Sequence, residues 1–347
     1  MTMPALARWL RVRKATAGVG IGPSSTTSAP AAMVSPRDLG TATRMPDANG
    51  RYIEFLKSRL DSTLDALVGT RIVVDAAHGA AYRIAPRLFE ELGFHVDTIG
   101  AAPNGYNINA GHGATDLTAL RAEVTRTGAA LGLALDGDAD RLMAITGDGR
   151  LVDGDDIVYV LARHWQQRGL LRGPVVGTVM TNLGIELALG ELGIGFERAA
   201  VGDRYVHQRL RETGGILGGE ASGHVICRHK ASTGDGLMSA LLLLEVINDT
   251  GRALTELVGD LHRFPQKTIN VRVARNARQL LHHAAIEQAR AEVSAALASD
   301  GRLILRASGT EPLIRVTVEA RDAAVVERHA QQLADVVRKT ADATSTP

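Results

Sequence analysis

The sequence predicts an α/β protein. It reads as two consecutive α/β domains with mainly parallel sheets, a smaller C-terminal α+β domain and a disordered N-terminus. Three observations carry this. From residue 51 to about residue 247, short apolar runs alternate with stretches whose apolar residues recur every three or four positions, the pattern of βαβ units. Near Pro265 the order changes to β-α-β-β-α. Residues 15–50 are rich in Ser, Thr, Ala, Gly and Pro and show neither period. The boundaries that follow are 1–50 for the loose segment, 51–152 and 153–262 for the α/β domains, and 263–340 for the last.

Taken in order, Ile53, Leu56, Leu60, Leu64 and Leu67 predict a helix over 51–67, stopped by Gly69. Residues 71–75 read as a strand, 80–92 as a helix closed by Gly93, and 94–99 as a strand. Asp116 caps a helix to about Thr127, and 129–135 is a buried strand. Asp148-Gly149 marks a hairpin. Asp153-Gly-Asp-Asp156 opens a helix over 157–167, its carboxylates complementing the dipole. The second set has strands at 174–180, 196–201 and 215–218 and helices at 184–192 and 204–212, and a helix over 236–247 closes that domain. The last set has strands at 267–273, 302–306 and 313–319 and helices at 284–297 and 323–337. Two α/β sets of similar size suggest a repeat, although their sequences do not visibly align.

Composition narrows the function. A net charge of +1 and 3% aromatic residues give no electrostatic or base-stacking case for nucleic acid or for membrane surfaces. Cys227 is the single cysteine, so no disulfide forms within the chain, which suits a reducing cytoplasm; it follows an apolar pair and reads as a small buried hydrophobe. No apolar run approaches the roughly 20 residues of a membrane span. Arg8, Arg11, Arg13 and Lys14 fall within or after the first apolar stretch, unlike a secretory signal, which puts its charge first.

Three short stretches carry chemistry. Asp136-Gly-Asp-Ala-Asp-Arg141 places three carboxylates at alternate positions after a buried strand, where open α/β sheets bind ligands. Oxygen donors without Cys or His favour Mg²⁺. An EF-hand is excluded, because Arg141 and Gly147 stand where it needs Gly and Glu. The competing reading is an acidic turn in solvent. Gly218-Gly-Glu-Ala-Ser-Gly-His224 joins two short strands. Glu220 and Ser222 suit adjacent sugar hydroxyls and His224 a proton transfer, against a plain glycine-rich hairpin with a surface His. Arg306-Ala-Ser-Gly-Thr-Glu-Pro312, with Arg315 beyond it, offers backbone amides, two hydroxyls and guanidinium forks to a phosphate, against a plain polar turn. Gly202-Asp-Arg-Tyr205 and Thr233-Gly-Asp-Gly236 sit at helix starts; Asp203 suits an N-cap and Arg204 can reach a ligand.

With these residues in this order, the chain resembles the α-D-phosphohexomutase superfamily from about Asp38 to Arg338. Asn107-Ile-Asn-Ala-Gly111, Gly202-Asp-Arg-Tyr-Val206, Thr233-Gly-Asp-Gly236 and Pro265-Gln266 before Asn270-Val-Arg-Val273 look closer to its glucosamine branch than to phosphomannomutases. The resemblance implies four domains around one cleft, of which this chain would hold the second, third and fourth. It implies interconversion of glucosamine 6-phosphate and glucosamine 1-phosphate through a phosphoserine and a 1,6-bisphosphate, with hexose 1,6-bisphosphate as activator, in cytoplasmic amino-sugar and cell-wall precursor synthesis. By the same resemblance Asp136, Asp138 and Asp140 hold Mg²⁺, and Glu220, Ser222, Gly223 and Arg204 bind the sugar. His224 and Arg141 are the catalytic candidates, and Arg306, Ser308, Gly309, Thr310 and Arg315 clamp the phosphate that does not react.

The family's nucleophile lies in a Ser-Ala-Ser-His-Asn-Pro-like loop, which these residues lack; Ser24, Ser25 and Ser28 have no such context. The first domain is therefore expected to be missing, and the mutase cycle to be incomplete in this chain alone. The alternatives are a sugar-phosphate-binding protein or subunit that borrows the domain from a partner or forms homo-oligomers, a phosphomannomutase or phosphoglucomutase, and a Mg²⁺-dependent phosphatase using Asp136 as nucleophile. The last leaves the Glu220 and Arg306 loops without purpose.

Overall fold

A computed structural model describes residues 45–273, 277–298, 300–308 and 311–345. The chain divides into Met1–Pro46 and a compact unit, Asp47–Pro347, that holds all the elements below. The expected disordered segment falls mostly on residues 1–44, outside the described residues, as do Ser24, Ser25 and Ser28.

The first described helix is α1 (Ala48–Lys57), which starts slightly before the expected residue 51. Ile53 and Leu56 anchor it in the core, but the helix does not continue to Leu67. The buried carboxylate of Glu245 accepts from the amides of Asp61 (2.6 Å) and Ser62 (2.7 Å) and holds the chain in a turn there. The leucine spacing is real, yet a tertiary hydrogen bond overrides it.

The first sheet contains β1 (Arg71–Asp75), β2 (His95–Ile99), β3 (Leu131–Leu135), β4 (Leu142–Thr146) and β5 (Leu151–Val152). Helices α2 (Ile84–Glu91) and α3 (Thr118–Thr127) make the crossovers. After α4 (Gly154–Gln167), the second sheet contains β6 (Val175–Thr178), β7 (Phe196–Ala199), β8 (Leu217–Gly219) and β9 (Val225–Cys227), with α5 (Leu183–Glu191) and α6 (Asp203–Thr213) between them. Strand orders are β2-β1-β3-β4-β5 and β7-β6-β8-β9. The suspected repeat is thus present as topology. Pairs joined through helices are parallel, whereas β3–β4, β4–β5 and β8–β9 are antiparallel because hairpins join them. Four of the seven pairings in these two sheets are parallel, as the expectation of mainly parallel sheets has it, and the three antiparallel ones are the hairpins.

Helix α7 (Gly236–Thr250), expected to close the second domain, packs on α4 and β9 and also on β3 and β4 of the first sheet and on α1. It is buried at every position from Gly236 to Ile247; most of these are apolar, and the two polar ones, Ser239 and Glu245, are hydrogen-bonded. Leu133, Leu142, Ile157, Leu217 and Leu241 therefore belong to one continuous core. Cys227 lies in that core, and burial pushes its thiol up to about 12. No described helix is long and apolar enough to cross a membrane.

After α8 (Leu254–Leu257), the last set is β10 (Gln266–Arg272), α9 (Ala277–Leu280), α10 (Ala284–Leu297), β11 (Gly301–Ala307), β12 (Leu313–Ala320) and α11 (Ala323–Ser345). Its sheet, β10-β12-β11, is antiparallel throughout. Val271, Ile314 and Val316 join Ile286, Leu333 and Val337 in a separate core. Alternation puts Arg302, Arg306, Arg315, Thr317 and Glu319 on the other face. Arg302 donates to the carbonyl of Val179 (3.0 Å) and to that of Thr181, while Glu319 accepts from the amide of Leu183 (2.9 Å). This polar face thereby docks on the end of β6.

The acidic start of α4 does what the sequence implied and more. Asp153 accepts from the amides of Asp155 and Asp156, and Asp156 returns the bond to the amide of Asp153. Arg263 then crosses from the linker before β10 to pair with Asp153 and with Asp156 (3.0 Å). Burial, and then the charge of Asp153, pushes the Asp155 carboxyl up to about 7. A carboxyl that binds its proton more tightly folded than unfolded adds stability that is complete below pH 3.8 and is lost as pH rises through about 7. Asp155→Asn keeps an acceptor for the amide of Asn182 and removes the buried charge. At pH 8 it is expected to raise Tm by about 3–6 °C and to flatten Tm between pH 5 and 7, as read by calorimetry.

Candidate active site

Strand β3 delivers Asp136 to the turn that leads into β4. Asp136 is buried, Asp138 exposed and Asp140 between the two, and one oxygen from each lies within 4.8 Å of the others. The amide of Arg141 donates to Asp136 Oδ1 (3.1 Å), and Arg141 Nε lies 3.5 Å from Asp136 Oδ2 and 3.8 Å from Asp140 Oδ1. Burial first, opposed by that amide, and then the charges of Asp140 and Asp138 push the Asp136 carboxyl up to about 6. Asp140 Oδ1 is buried with no hydrogen-bond partner among the described residues. Oxygens that share one Mg²⁺ or Ca²⁺ stand about 4–5 Å apart at most, so the cluster fits a hard divalent cation.

The loop between β8 and β9 occupies the equivalent place in the second sheet. Glu220 Oε1 accepts from the amide of Gly202 (2.7 Å), which ties the loop to the start of α6. Ser222 and Arg204 are exposed there, and the Arg204 guanidinium stacks 4.4 Å from the Tyr205 ring. Asp203 is not the N-cap; Gly202 is, and Asp203 opens the helix itself. His224 is not a surface residue. It is 5% exposed, and its Nδ1 lies 3.2 Å from Asp140 Oδ2.

A backbone seam joins the two loops. Leu142 donates its amide to the carbonyl of Gly223 (3.0 Å), and Gly236 donates to the carbonyl of Ala139 (2.9 Å). Gly223 has φ +96, and a Cβ there would run into the backbone of Leu142. Asp235 caps α7 through the amide of Met238 (2.9 Å) and accepts from the hydroxyl of Tyr52 (2.5 Å), a support that sequence reasoning missed because Tyr52 lies 183 residues away. On the far side, Ala80 donates to the carbonyl of Gly137 (2.8 Å).

Arg306 and Arg315 face each other across β11 and β12. The Nε atoms of both are buried without a hydrogen-bond partner among the described residues, and burial, then Arg315, lowers the Arg306 guanidinium below its ordinary value. Like charges directly opposite are costly unless an anion lies between them. Ser308 Oγ accepts from the amide of Glu311 (3.3 Å); Gly309 and Thr310 lie outside the described residues. Direct contacts thus unite the acidic and Glu220 loops. The arginine pair stands roughly 13 Å along β11 from the Arg302 junction, on the same face.

The fold is that of three successive domains of the sugar-phosphate mutases. Models of the phosphoglucomutase/phosphomannomutase α/β/α domain II, α/β/α domain III and C-terminal domain match residues 50–149, 153–264 and 269–336, and the chain belongs to that family. It is 52% identical over 313 residues to a phosphoglucosamine mutase of Xylella fastidiosa, covering 90% of this chain and 70% of the relative. It is 51% identical over 314 residues to that of Thiobacillus denitrificans, covering 90% and 68%. Among solved structures it superposes on Aspergillus fumigatus N-acetylphosphoglucosamine mutase in complex with GlcNAc-6P and magnesium, with TM-score 0.68, 19% identity and coverage of 84% of this chain and 70% of that one. A phosphoglucomutase/phosphomannomutase family protein of Burkholderia thailandensis gives TM-score 0.68 at 23% identity, covering 84% and 64%.

Gly223→Ala should open the seam, since it adds both left-handed strain and a backbone clash. A loss of about 2 kcal/mol or more is expected in denaturant unfolding.

Proposed function

We propose that this chain supplies the metal, sugar and phosphate contacts of a phosphoglucosamine mutase, acting on glucosamine 6-phosphate and glucosamine 1-phosphate. The observation that carries the reading is the meeting of His224 with Asp140, which puts a sugar-type loop against a cation-type loop. Asp136, Asp138 and Asp140 would hold Mg²⁺, which when bound neutralises charge on a moving phosphoryl group. Arg141 balances the carboxylates. Glu220 and Ser222 take the hydroxyls, with Gly223 and Arg204 at the rim. Arg306 and Arg315, with Ser308, Gly309 and Thr310, take the phosphate that stays in place. The 52% identity to phosphoglucosamine mutases favours hexosamine phosphate over mannose phosphate. The phosphatase alternative fits poorly, because Asp136 is buried beneath Arg141.

A polypeptide of these 347 residues is expected to bind glucosamine 6-phosphate. Arg306→Ala should weaken binding by about 10–100-fold, the worth of a charge-assisted hydrogen bond. Asp138→Asn should abolish any gain from Mg²⁺. Calorimetry reads both, and affinities indifferent to both changes would overturn the assignment. Turnover should need a phosphoserine donor from outside these residues. Incubation with glucose 1,6-bisphosphate and Mg²⁺, followed by mass spectrometry, tests this, and a stoichiometric phosphoserine with mutase turnover would refute it.

A further inference from the structure

We infer that Asn270 and Arg272 on β10 are two further phosphate contacts, which carry the binding surface of the Arg306–Arg315 pair across the full width of the last sheet. The inference rests on the phosphate reading above and deepens it: the anion is met from all three strands, not from β11 and β12 alone. Register and charge both support it.

One face of the sheet is covered. Ile269, Val271, Ile314 and Val316 point into the core beneath α10 and α11. Alternation therefore puts Asn270 and Arg272, both exposed, on the open face that carries Arg306 and Arg315. Residues on that face lie in rows. Asn270 is opposite Arg315, and Arg315 is opposite Arg306, so three donor-bearing side chains stand abreast with Arg315 in the centre. In the next row Arg272 is opposite the buried Leu313, whose carbonyl accepts from the amide of Ser308 (2.9 Å). Arg272 and Ser308 thus flank Leu313 from its two sides. The amide of Val273, donating to the carbonyl of Pro312 (2.9 Å), fastens the end of β10 beside the loop that Ser308 begins.

Charge on this face is uneven. At the junction end, Arg302 is answered by Glu319 at 2.5 Å. At the loop end, Arg272, Arg306 and Arg315 gather with one loose partner among the described residues, Glu311, 3.8 Å from Arg315. Neither Asn270 nor Arg272 has a side-chain hydrogen bond or ion pair among the described residues. Neighbouring strands stand about 4.8 Å apart, so the row from Asn270 to Arg306 is roughly 10 Å wide, room for one phosphate above its centre. Guanidinium forks on both flanks suit the oxygens of such a group. Asn270 adds a donor to the row without adding another charge to arginines that already repel one another.

The test is calorimetry of glucosamine 6-phosphate binding to the full chain at low and high salt. The unsubstituted protein is compared with Arg272→Ala, Arg272→Lys, Asn270→Ala and Arg290→Ala, with Arg306→Ala as the reference loss. Thermal unfolding in parallel confirms that each variant is folded. Arg290 is exposed on α10, the helix on the covered side of the sheet. Arg272→Ala is expected to weaken binding about 10-fold and to reduce its salt dependence. Asn270→Ala should weaken it about 5-fold with the salt dependence unchanged. Arg272→Lys keeps the charge but not the fork, so it should restore the salt dependence and only part of the affinity. Arg290→Ala should change nothing. The same losses are expected with glucose 6-phosphate, because the contacts are to phosphate and not to the 2-amino group. Unchanged affinity in Arg272→Ala or in Asn270→Ala, beside a weakened Arg306→Ala, would overturn the inference and leave the arginine pair standing. An equal loss in Arg290→Ala would reduce the effect to overall charge and overturn it as well. If the unsubstituted chain bound no glucosamine 6-phosphate, the phosphate reading itself would fall, and this inference with it.

Discussion

Three carboxylates within 4.8 Å of one another are the constraint that the rest of the molecule answers. Nothing in the turn's own composition makes such a cluster comfortable. Arg141 offsets part of the repulsion from above, and its amide serves Asp136 from within the turn. The remaining support comes from outside: the Gly223 carbonyl on Leu142, the Gly236 amide on Ala139 and the Ala80 amide on Gly137. Each is a backbone contact, which cannot be lost to a rotamer change. The turn is held in shape by its neighbours, and the residual repulsion is left for a cation to relieve.

The doubled topology explains why the supports are available. In both sheets a central strand, β1 or β6, feeds crossovers to either side, and the third strand returns through a hairpin. The acidic turn follows β3 and the Glu220 loop follows β8, so each occupies the same place in its own sheet. Helix α7 then serves both sheets and fuses their cores. Two copies of one arrangement, with their loop-bearing ends together, bring the acidic turn against the Glu220 loop.

What was legible in the sequence follows the range of the forces involved. Local signals read true: the strand before Asp136, the Asp148-Gly149 hairpin, the acidic start of α4, the helix end near Thr127 and α10 from Ala284 to Leu297. The leucine spacing after Lys57 misled because Glu245, nearly 190 residues on, claims the amides that a helix would need. The sequence left His224 between a proton carrier and a surface residue of a hairpin, because nothing local reveals that Gly234 and Asp140 enclose it. Arg263 and Arg302 drew no notice for the same reason, since their partners are remote backbone and carboxylate groups. A faint signal existed for Arg302, which shares the period-two face of Arg306.

The two junctions in the molecule differ in kind, and the difference bears on how the site works. Between the first and second sheets lies a shared apolar core plus the backbone seam, so parting them would expose α7 on several sides. Between the second sheet and the last domain the contacts are mostly polar: Arg302 on two carbonyls, Glu319 on the Leu183 amide, Asn182 on Phe264 and Arg263 on Asp153 and Asp156. Polar groups that separate can re-form their hydrogen bonds with water, whereas an apolar core cannot be opened so cheaply. The acidic turn and the Glu220 loop are therefore joined through core and backbone, and the Arg306–Arg315 pair sits on the part attached mostly by polar contacts. An anion arriving between those two guanidiniums would relieve their mutual repulsion and, through Arg302 four residues back on the same strand, bear on the junction itself.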